Sequence, residues 1–191
     1  PAGTGDERTV VYFGKMIEQK GVQVLLEAMA GVDARLVVVG FGPYRETLER
    51  LAPERTLFTG PLEHRHLVQL LPLADVTVVP SIFPEAFGMV AAEAAAAGSP
   101  PLVARHSGLA EVAAGLEEGY PERLRHLASF ATGEVADLRG KLNEILALSP
   151  SEHDALRRAA RQAVVDRWSW ASVGARLLAP VAPVAAQQGG G

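Results

Sequence analysis

Short runs of apolar, β-branched residues alternate with helix-length amphipathic segments along most of the chain. The runs are continuously apolar, which is typical of strands that are covered on both faces. Strand, short loop and helix repeated in this way predict an α/β fold, with a doubly wound, Rossmann-like, mostly parallel sheet of about six strands and helices on both faces. The predicted strands span 9–13, 35–39, 56–59, 75–79, 98–104 and 127–131.

The intervening segments carry apolar residues at helical spacing. They predict helices at 21–29, from Pro43 onward, and at 63–71, 87–97, 135–148, 151–167 and 169–178. The segment between Glu111 and Phe130 is longer and more charged than we expect between the fifth and sixth strands, and we assign it no role. Because ligands bind beyond the carboxyl ends of the strands in such folds, we look for function in the loops after the first, second and fourth strands.

We divide the chain into a disordered leader at 1–8, one α/β domain at 9–178 and a flexible tail at 179–191. The leader has no apolar core of the kind that a signal peptide needs. The tail mixes proline, alanine and glycine, which is typical of a frayed terminus. The longest apolar stretches fall far short of the roughly 18 to 20 residues that span a bilayer, so we expect no integral membrane segment.

Composition excludes several classes of site. The chain has no cysteine, which rules out disulfides, thiol nucleophiles and cysteine-ligated metal centres, and makes the cytoplasm the simpler assumption for its location. Its formal net charge of −4 gives no general reason to bind nucleic acid or an anionic membrane. Any anion site is therefore expected to be local.

Two of the three lysines lie in one loop. Of 18 basic residues only Lys15, Lys20 and Lys141 are lysine, and the first two fall between Gly14 and Gly21, just after the first strand. Glycine allows close approach of backbone, and ammonium groups beside a helix N-terminus suit phosphate. The loop lacks the Gly-Lys-Ser/Thr run of a Walker A motif. The alternative is that both lysines are merely solvated.

A pair of carboxylates, Glu85 and Glu93, marks the loop and helix after the fourth strand. Glu93 is the only charged residue between Gly88 and Gly98, in a segment that is otherwise small and apolar. The pair predicts a binding site at the helix N-terminus. The alternative is that Glu85 caps the helix, which is worth about 0.3 to 1 kcal/mol, and that Glu93 is simply exposed.

The segment from Glu85 to Pro100 resembles the Glu-x7-Glu signature of retaining GT-B glycosyltransferases of group 1 (family 4), matching Glu-x-Phe-Gly-x4-Glu-Ala-x-Ala-x-Gly-x-Pro at every fixed position. Other segments resemble this family in the same order. They are the Gly14 to Gly21 loop, Val-Gly-Phe-Gly-Pro at 39–43, Ala-Asp-Val-Thr-Val-Val-Pro-Ser at 74–81 and Trp-Ser-Trp at 168–170. The family usually has arginine at the position of Lys15.

The resemblance implies that this chain is one half of a GT-B enzyme, the C-terminal domain that binds a UDP-, ADP- or GDP-linked sugar without a metal. It implies that Glu93 accepts hydrogen bonds from the ribose, that Glu85 holds hydroxyls of the transferred sugar, and that Lys20, with Lys15, neutralises the leaving diphosphate. Lys20 and Glu85 are the catalytic candidates. The expected binding residues are Gly14, Lys15, Lys20, Glu85, Phe87, Gly88, Met89, Val90 and Glu93.

The expected activity of the full-length protein is transfer of a hexose from a nucleotide sugar to an acceptor, with retention of anomeric configuration. Because the acceptor-binding N-terminal half is missing, we expect the chain to bind the donor without turnover. The alternatives are a sugar-nucleotide epimerase or hydrolase of the same architecture and a non-catalytic binding module. The sequence does not identify the base, the sugar, the acceptor or the oligomeric state.

The remaining polar candidates carry weaker signals. His64 and His66 point to different faces of a helix and are not expected to form a metal pair. His106 follows the fifth strand and lies at the functional end of the sheet, either lining the cleft or as a simple loop residue. Ser81 and Ser107 lack the partner pattern of a hydrolase nucleophile. A basic face on a late helix is expected to be solvated; it comprises Arg157, Arg158, Arg161 and Arg167.

Overall fold

A computed structural model describes residues 7–169 and Ser172 of the protein. Six parallel strands form one sheet in the order β3-β2-β1-β4-β5-β6. This confirms the predicted doubly wound, Rossmann-like α/β fold. The strands are β1 (Thr9–Lys15), β2 (Arg35–Phe41), β3 (Thr56–Gly60), β4 (Val76–Val79), β5 (Pro101–Ala104) and β6 (Ser129–Phe130).

Seven α-helices connect and follow the strands in the described part of the chain. They are α1 (Val22–Met29), α2 (Arg45–Leu51), α3 (His64–Leu70), α4 (Met89–Ala96), α5 (Ser107–Gly119), α6 (Val135–Leu146) and α7 (Pro150–Trp168). None of the described helices is both long and apolar enough to cross a bilayer. Most of the predicted helix at 169–178, the tail at 179–191 and most of the leader lie outside the described residues.

Helix α5 was not predicted. The segment between Glu111 and Phe130 contains most of this helix, a 3-10 turn at Glu122–Leu127 and the short strand β6. Leu109, Val112 and Leu116 recur at helical spacing and are all fully buried, which explains why the segment is helical. Its charged residues lie on the opposite side and, apart from the partly buried Glu117, are exposed, so the segment covers the sheet as a helix and is not a long loop.

Both faces of the sheet are covered, as the continuously apolar strands predict. Along β1, Val10 and Tyr12 pack into the larger core cluster on one face, whereas Val11 and Phe13 pack into a smaller cluster on the other. Successive side chains of a strand point to opposite faces, so a strand that is buried on both sides is apolar at nearly every position. The buried Thr77 of β4 is an exception, and its hydroxyl is hydrogen-bonded to Ser99.

Helix α7 is anchored under the amino end of β4. Its Arg157 donates hydrogen bonds to the carbonyl oxygens of Pro72, Ala74 and Gly98, and His153 Nε2 lies 2.7 Å from the carbonyl oxygen of Asp75. The prediction of a solvated basic face is therefore wrong for Arg157, which turns inward. Arg158 and Arg161 are exposed.

Strand β1 lies between β2 and β4 in the sheet. From β1 the chain continues outward to β2 and β3 on one side, and from β4 it continues outward to β5 and β6 on the other. Such a switch in strand order opens a crevice at the carboxyl edge of a parallel sheet. The loops that follow β1 and β4 form its two sides.

Candidate functional site

A cleft of about 550 Å³ lies at the carboxyl ends of β1 and β4. The sequence candidates on this edge come together there, with the exceptions of Glu93 and His106. The cleft is lined by Tyr12, Phe13, Gly14, Lys15, Ile17, Lys20, Val79, Pro80, Ser81, Glu85, Ala86, Phe87, Gly88, Met89 and Val90.

Two glycines bring the walls of the cleft together. Gly21 has φ of 67°, and a Cβ at this position would lie 1.9 Å from the carbonyl oxygen of Pro80. Gly88 is the N-cap of α4 with φ of 91°, and its Cβ would lie 2.4 Å from Leu109 Cδ2. No side chain caps α4, so the N–H groups of Met89 and Val90, two residues that line the cleft, have no hydrogen-bond partner in the described part of the chain. A helix N-terminus of this kind suits an anion.

Glu85 is held by two donors. Lys20 Nζ lies 2.5 Å from Glu85 Oε1, and Ser81 Oγ donates to the same oxygen over 2.8 Å. Burial would raise the pKa of Glu85, but hydrogen bonds from Lys20 and Ser81 and the positive charge nearby outweigh it and lower the pKa below its ordinary value. Glu85 is therefore an ionised acceptor. Its second oxygen, Oε2, has no hydrogen-bond partner among residues 7–169.

Tyr12 supports the lysine side of the cleft and was not predicted. Its hydroxyl donates to the carbonyl oxygen of Lys15 over 2.8 Å. Burial, together with the negative charge of Glu85, raises the pKa of Tyr12, so the phenol stays protonated and keeps this hydrogen bond. The side chain of Lys15 is exposed beside the cleft and has no polar partner in the described part of the chain. It is available to an incoming anion.

Glu93 lines a second, smaller hollow of about 230 Å³ between α4 and α3. It is exposed and lies about one turn beyond Met89 and Val90, which line the main cleft. Glu85, in the loop before α4, and Glu93, on α4 itself, thus line two different hollows. The second hollow is lined by His64, Leu67, Val68, Leu71, Glu93, Ala96 and Ala97.

His106 does not line the cleft but contacts the loop that carries Glu85. Its Nε2 lies 2.7 Å from the carbonyl oxygen of Ser81, and its Nδ1 lies 3.0 Å from Ser107 Oγ. The sequence left His106 open as either a cleft-lining or a simple loop residue, and it is not part of the cleft lining but contacts the loop. Ser81 and Ser107 were not predicted as parts of the site. Both follow strands at the carboxyl edge, and that position was the one signal in the sequence that could have indicated them.

The chemistry of the two hollows is that of a site for a polar, anionic ligand. Two ammonium groups and a helix N-terminus offer positive charge, and two carboxylates offer acceptors for hydroxyl groups. Among the described residues, no cluster of three histidine, aspartate or glutamate side chains has the arrangement of a metal site.

The family model described as glycosyl transferases group 1 matches residues 2–163. A GDP-mannose-dependent α-(1-6)-phosphatidylinositol monomannoside mannosyltransferase of Mycolicibacterium smegmatis is 30% identical over 197 residues, covering 92% of this chain and 48% of that protein. An uncharacterised glycosyltransferase of Methanocaldococcus jannaschii is 37% identical over 116 residues, covering 56% of this chain and 30% of that protein.

Among solved structures, Anabaena Alr3699/HepE in complex with UDP and glucose superimposes with a TM-score of 0.77 at 20% identity, covering 92% of this chain and 48% of that one. At this identity the likeness shows a shared fold. This chain thus spans less than half the length of the curated relatives that it matches, 48% and 30% in the two cases above.

Proposed function

The chain belongs to the glycosyl transferases of group 1, and on that premise we propose that it is the donor-binding half of a retaining hexosyltransferase that uses a nucleotide sugar. The observation that carries the proposal is the arrangement of two hollows along α4, one with the Lys20–Glu85 pair at the helix N-terminus and one with Glu93.

The diphosphate is placed between the N-terminus of α4 and the two lysines. Lys20 has three donors and gives one to Glu85, so it can hold phosphate oxygens without releasing that carboxylate. Lys15 contributes a second charge from the rim. Together they stabilise the negative charge that grows on the diphosphate as it leaves, in the role that a divalent cation takes in other transfer reactions.

The transferred sugar is placed at Glu85 and the nucleoside at Glu93. Glu85 Oε2 faces no protein donor in the described residues and is ionised, so it can accept from sugar hydroxyls. Glu93 accepts from the ribose hydroxyls, and the apolar hollow beside α3 receives the base. In this assignment Glu85 positions the sugar and is not a nucleophile.

The remaining part of the catalytic machinery is assigned to a second domain. This chain corresponds to 48% of the mycobacterial mannosyltransferase, which leaves room in a full-length relative for an acceptor-binding half. We expect this chain alone to bind the donor nucleotide without measurable turnover. Robust sugar transfer by the chain alone would contradict this assignment.

Titration calorimetry with UDP, GDP and ADP tests the donor site. We expect one of the three to bind the wild-type chain, and Glu93→Ala to weaken that binding about tenfold through the loss of hydrogen bonds to the ribose. Glu122→Ala is the matched control, since Glu122 is also exposed but lies on the 3-10 turn before β6. Affinity that Glu93→Ala leaves unchanged would remove Glu93 from the site.

The two alternatives make different demands on the same residues. A hydrolase needs a base that activates water, whereas the lowered pKa of Glu85 makes it a weak base. A non-catalytic module needs no charge at the position of the leaving phosphate, yet Lys15 and Lys20 both line the cleft. Release of free sugar from the nucleotide sugar would favour the hydrolase, and failure to bind any nucleotide would favour the module.

A further inference from the structure

The first residues of α5 form hydrogen bonds with both backbone groups of Glu85, its N–H and its carbonyl oxygen. Its N–H donates to Ser107 Oγ over 2.9 Å, and its carbonyl oxygen accepts from the N–H of Gly108 over 2.9 Å. The loop that carries Glu85, residues 80–88, therefore has one residue whose backbone donor and acceptor are both satisfied by a neighbouring element. Lys20 and Ser81 hold the side chain of the same residue.

His106 adds a further hydrogen bond, to Ser81 near the start of the same loop. The carbonyl oxygen of Ser81 can only accept, so His106 Nε2, 2.7 Å away, carries a hydrogen. In the neutral ring Nδ1 is then an acceptor, and the hydroxyl of Ser107 donates to it over 3.0 Å. The result is a relay in which Glu85 N–H donates to Ser107, Ser107 donates to His106, and His106 donates to Ser81.

Ser107, the middle member of this relay, has an unfavourable backbone conformation. Its φ is 44°, and in the described part of the chain it is the only residue other than glycine with a positive φ. Strain of this kind persists where the surrounding structure holds it in place, and it concentrates at functional sites. Here the buried side chains of Leu109 and Val112 fix the start of α5, so that Ser107 faces Glu85.

We propose that His106 and Ser107 are positioning residues that hold the Glu85 loop in the geometry that receives the transferred sugar. The inference rests on the proposed function for the identity of the ligand. Neither residue lines the cleft, so each acts through Glu85 and Ser81 rather than on the ligand. A loop fixed before binding loses less conformational freedom when the sugar arrives, and this favours affinity.

The proposal predicts a loss of affinity that is confined to the sugar. Calorimetry would compare GDP with GDP-mannose and UDP with UDP-glucose on wild type, Ser107→Gly and His106→Ala. We expect both variants to bind the sugar nucleotide about tenfold more weakly and the bare nucleotide within about twofold of wild type. His126→Ala is the control, because His126 pairs with Glu144 on the exposed surface. Equal affinities for wild type and both variants would overturn the proposal.

The variant Ser107→Gly separates positioning from stability. Glycine relieves the strain at φ of 44° while it removes the hydroxyl, so we expect little change in melting temperature together with the loss of sugar affinity. His106→Gln, whose amide nitrogen can still reach the carbonyl oxygen of Ser81, is expected to recover part of the affinity that His106→Ala loses. A merely structural role would instead make affinity follow melting temperature across the series.

A second readout needs no nucleotide. In the wild-type chain, 15N NMR is expected to show His106 protonated at Nε2 in the neutral ring, and hydrogen exchange to show a protected Glu85 amide whose protection falls in Ser107→Gly. If the wild type binds neither these sugar nucleotides nor UDP, GDP or ADP, the proposed function fails, and hydrogen exchange at the Glu85 amide then decides by itself whether the relay exists. An unprotected Glu85 amide in the wild type would overturn it.

Discussion

At the scale of single residues, the Lys20–Glu85 pair combines two functions in one contact. Each side chain is about one quarter exposed, with values of 31% for Lys20 and 20% for Glu85. Removing one member of a largely buried pair leaves the other charge without compensation. In the proposed assignment Lys20 holds the diphosphate and Glu85 holds the sugar, so a change at either residue is expected to affect the other.

Replacing the lysine tests this coupling. We expect Lys20→Met to raise the pKa of Glu85, because the hydrogen bond and positive charge that oppose burial are lost. We also expect nucleoside diphosphates to bind about tenfold more weakly, because the charge-assisted hydrogen bond from Lys20 to the phosphate is lost. Carboxyl 13C NMR follows the first effect and calorimetry the second. The matched control is Lys141→Met on α6, which should change neither, and a Glu85 pKa that Lys20→Met leaves unchanged would contradict the coupling.

At the scale of elements, helix α4 depends on the glycine that precedes it. Gly88 and Gly98 have nearly the same φ, 91° and 89°, but an added Cβ would strike Leu109 at Gly88 and meet nothing within 4 Å at Gly98. A substitution at Gly98 therefore tests backbone strain alone, whereas a substitution at Gly88 adds a steric collision to the same strain.

We expect Gly98→Ala to lower the free energy of unfolding by about 1 kcal/mol, which is the cost of strain alone. We expect Gly88→Ala to lower it by about 2 to 4 kcal/mol and also to weaken nucleotide binding, because the collision displaces the N-terminus of α4. Urea unfolding and calorimetry measure the two effects. Equal stability of the two variants would show that Leu109 moves aside without cost.

Much of the fold follows from local pattern. All six strands were predicted, because most of them are buried on both faces and therefore read as short, largely apolar runs. The edge strand β3, whose residues alternate in burial, was recognised from its short run of Thr, Leu and Phe before Gly60. Strands at 98–104 and 127–131 were predicted too long, since the structure begins β5 at Pro101 and limits β6 to Ser129–Phe130. Helix α5 was missed because it begins with Ser107-Gly108, a pair typical of loops, and its buried positions alternate with glutamates.

The site was predictable only in part, for a related reason. Lys20 and Glu85 could be placed on one edge because each follows a strand of the sheet. The supporting contacts join residues that are far apart in sequence, such as His106 with Ser81, and depend on the path of individual loops. No periodicity in the chain encodes such contacts.

At the scale of the whole molecule, His153 links α7 to the sheet and makes stability depend on pH. Burial lowers the pKa of His153, and Arg157 and Arg8 add to this, while the carbonyl and carboxylate of Asp75 oppose it. The unfolded chain binds a proton at this residue near pH 6.5, whereas the folded protein binds it only at lower pH. The unfolded state therefore binds more protons over this interval, and the free energy of unfolding falls as the pH falls below 6.5.

We expect His153→Gln to flatten this dependence, because glutamine can keep a hydrogen bond to Asp75 and does not titrate. Urea unfolding between pH 7.5 and about pH 5, above the range where most carboxylates titrate, measures the slope. His126→Gln is the control, because His126 is exposed. A slope that is the same in wild type and His153→Gln would show that other groups cause the dependence.

One contact at the end of α7 gives the protein an internal optical reporter. The ring of Trp168 meets that of Phe87, on the wall of the main cleft, edge to face with centroids 5.5 Å apart. Gly115 leaves the space that the indole occupies, since a Cβ there would lie 2.6 Å from it. A ligand that moves Phe87 must change the surroundings of this indole. In the variant Trp170→Phe, which leaves Trp168 as the only tryptophan, occupancy of the cleft should therefore be readable as a change in intrinsic fluorescence, without any attached dye.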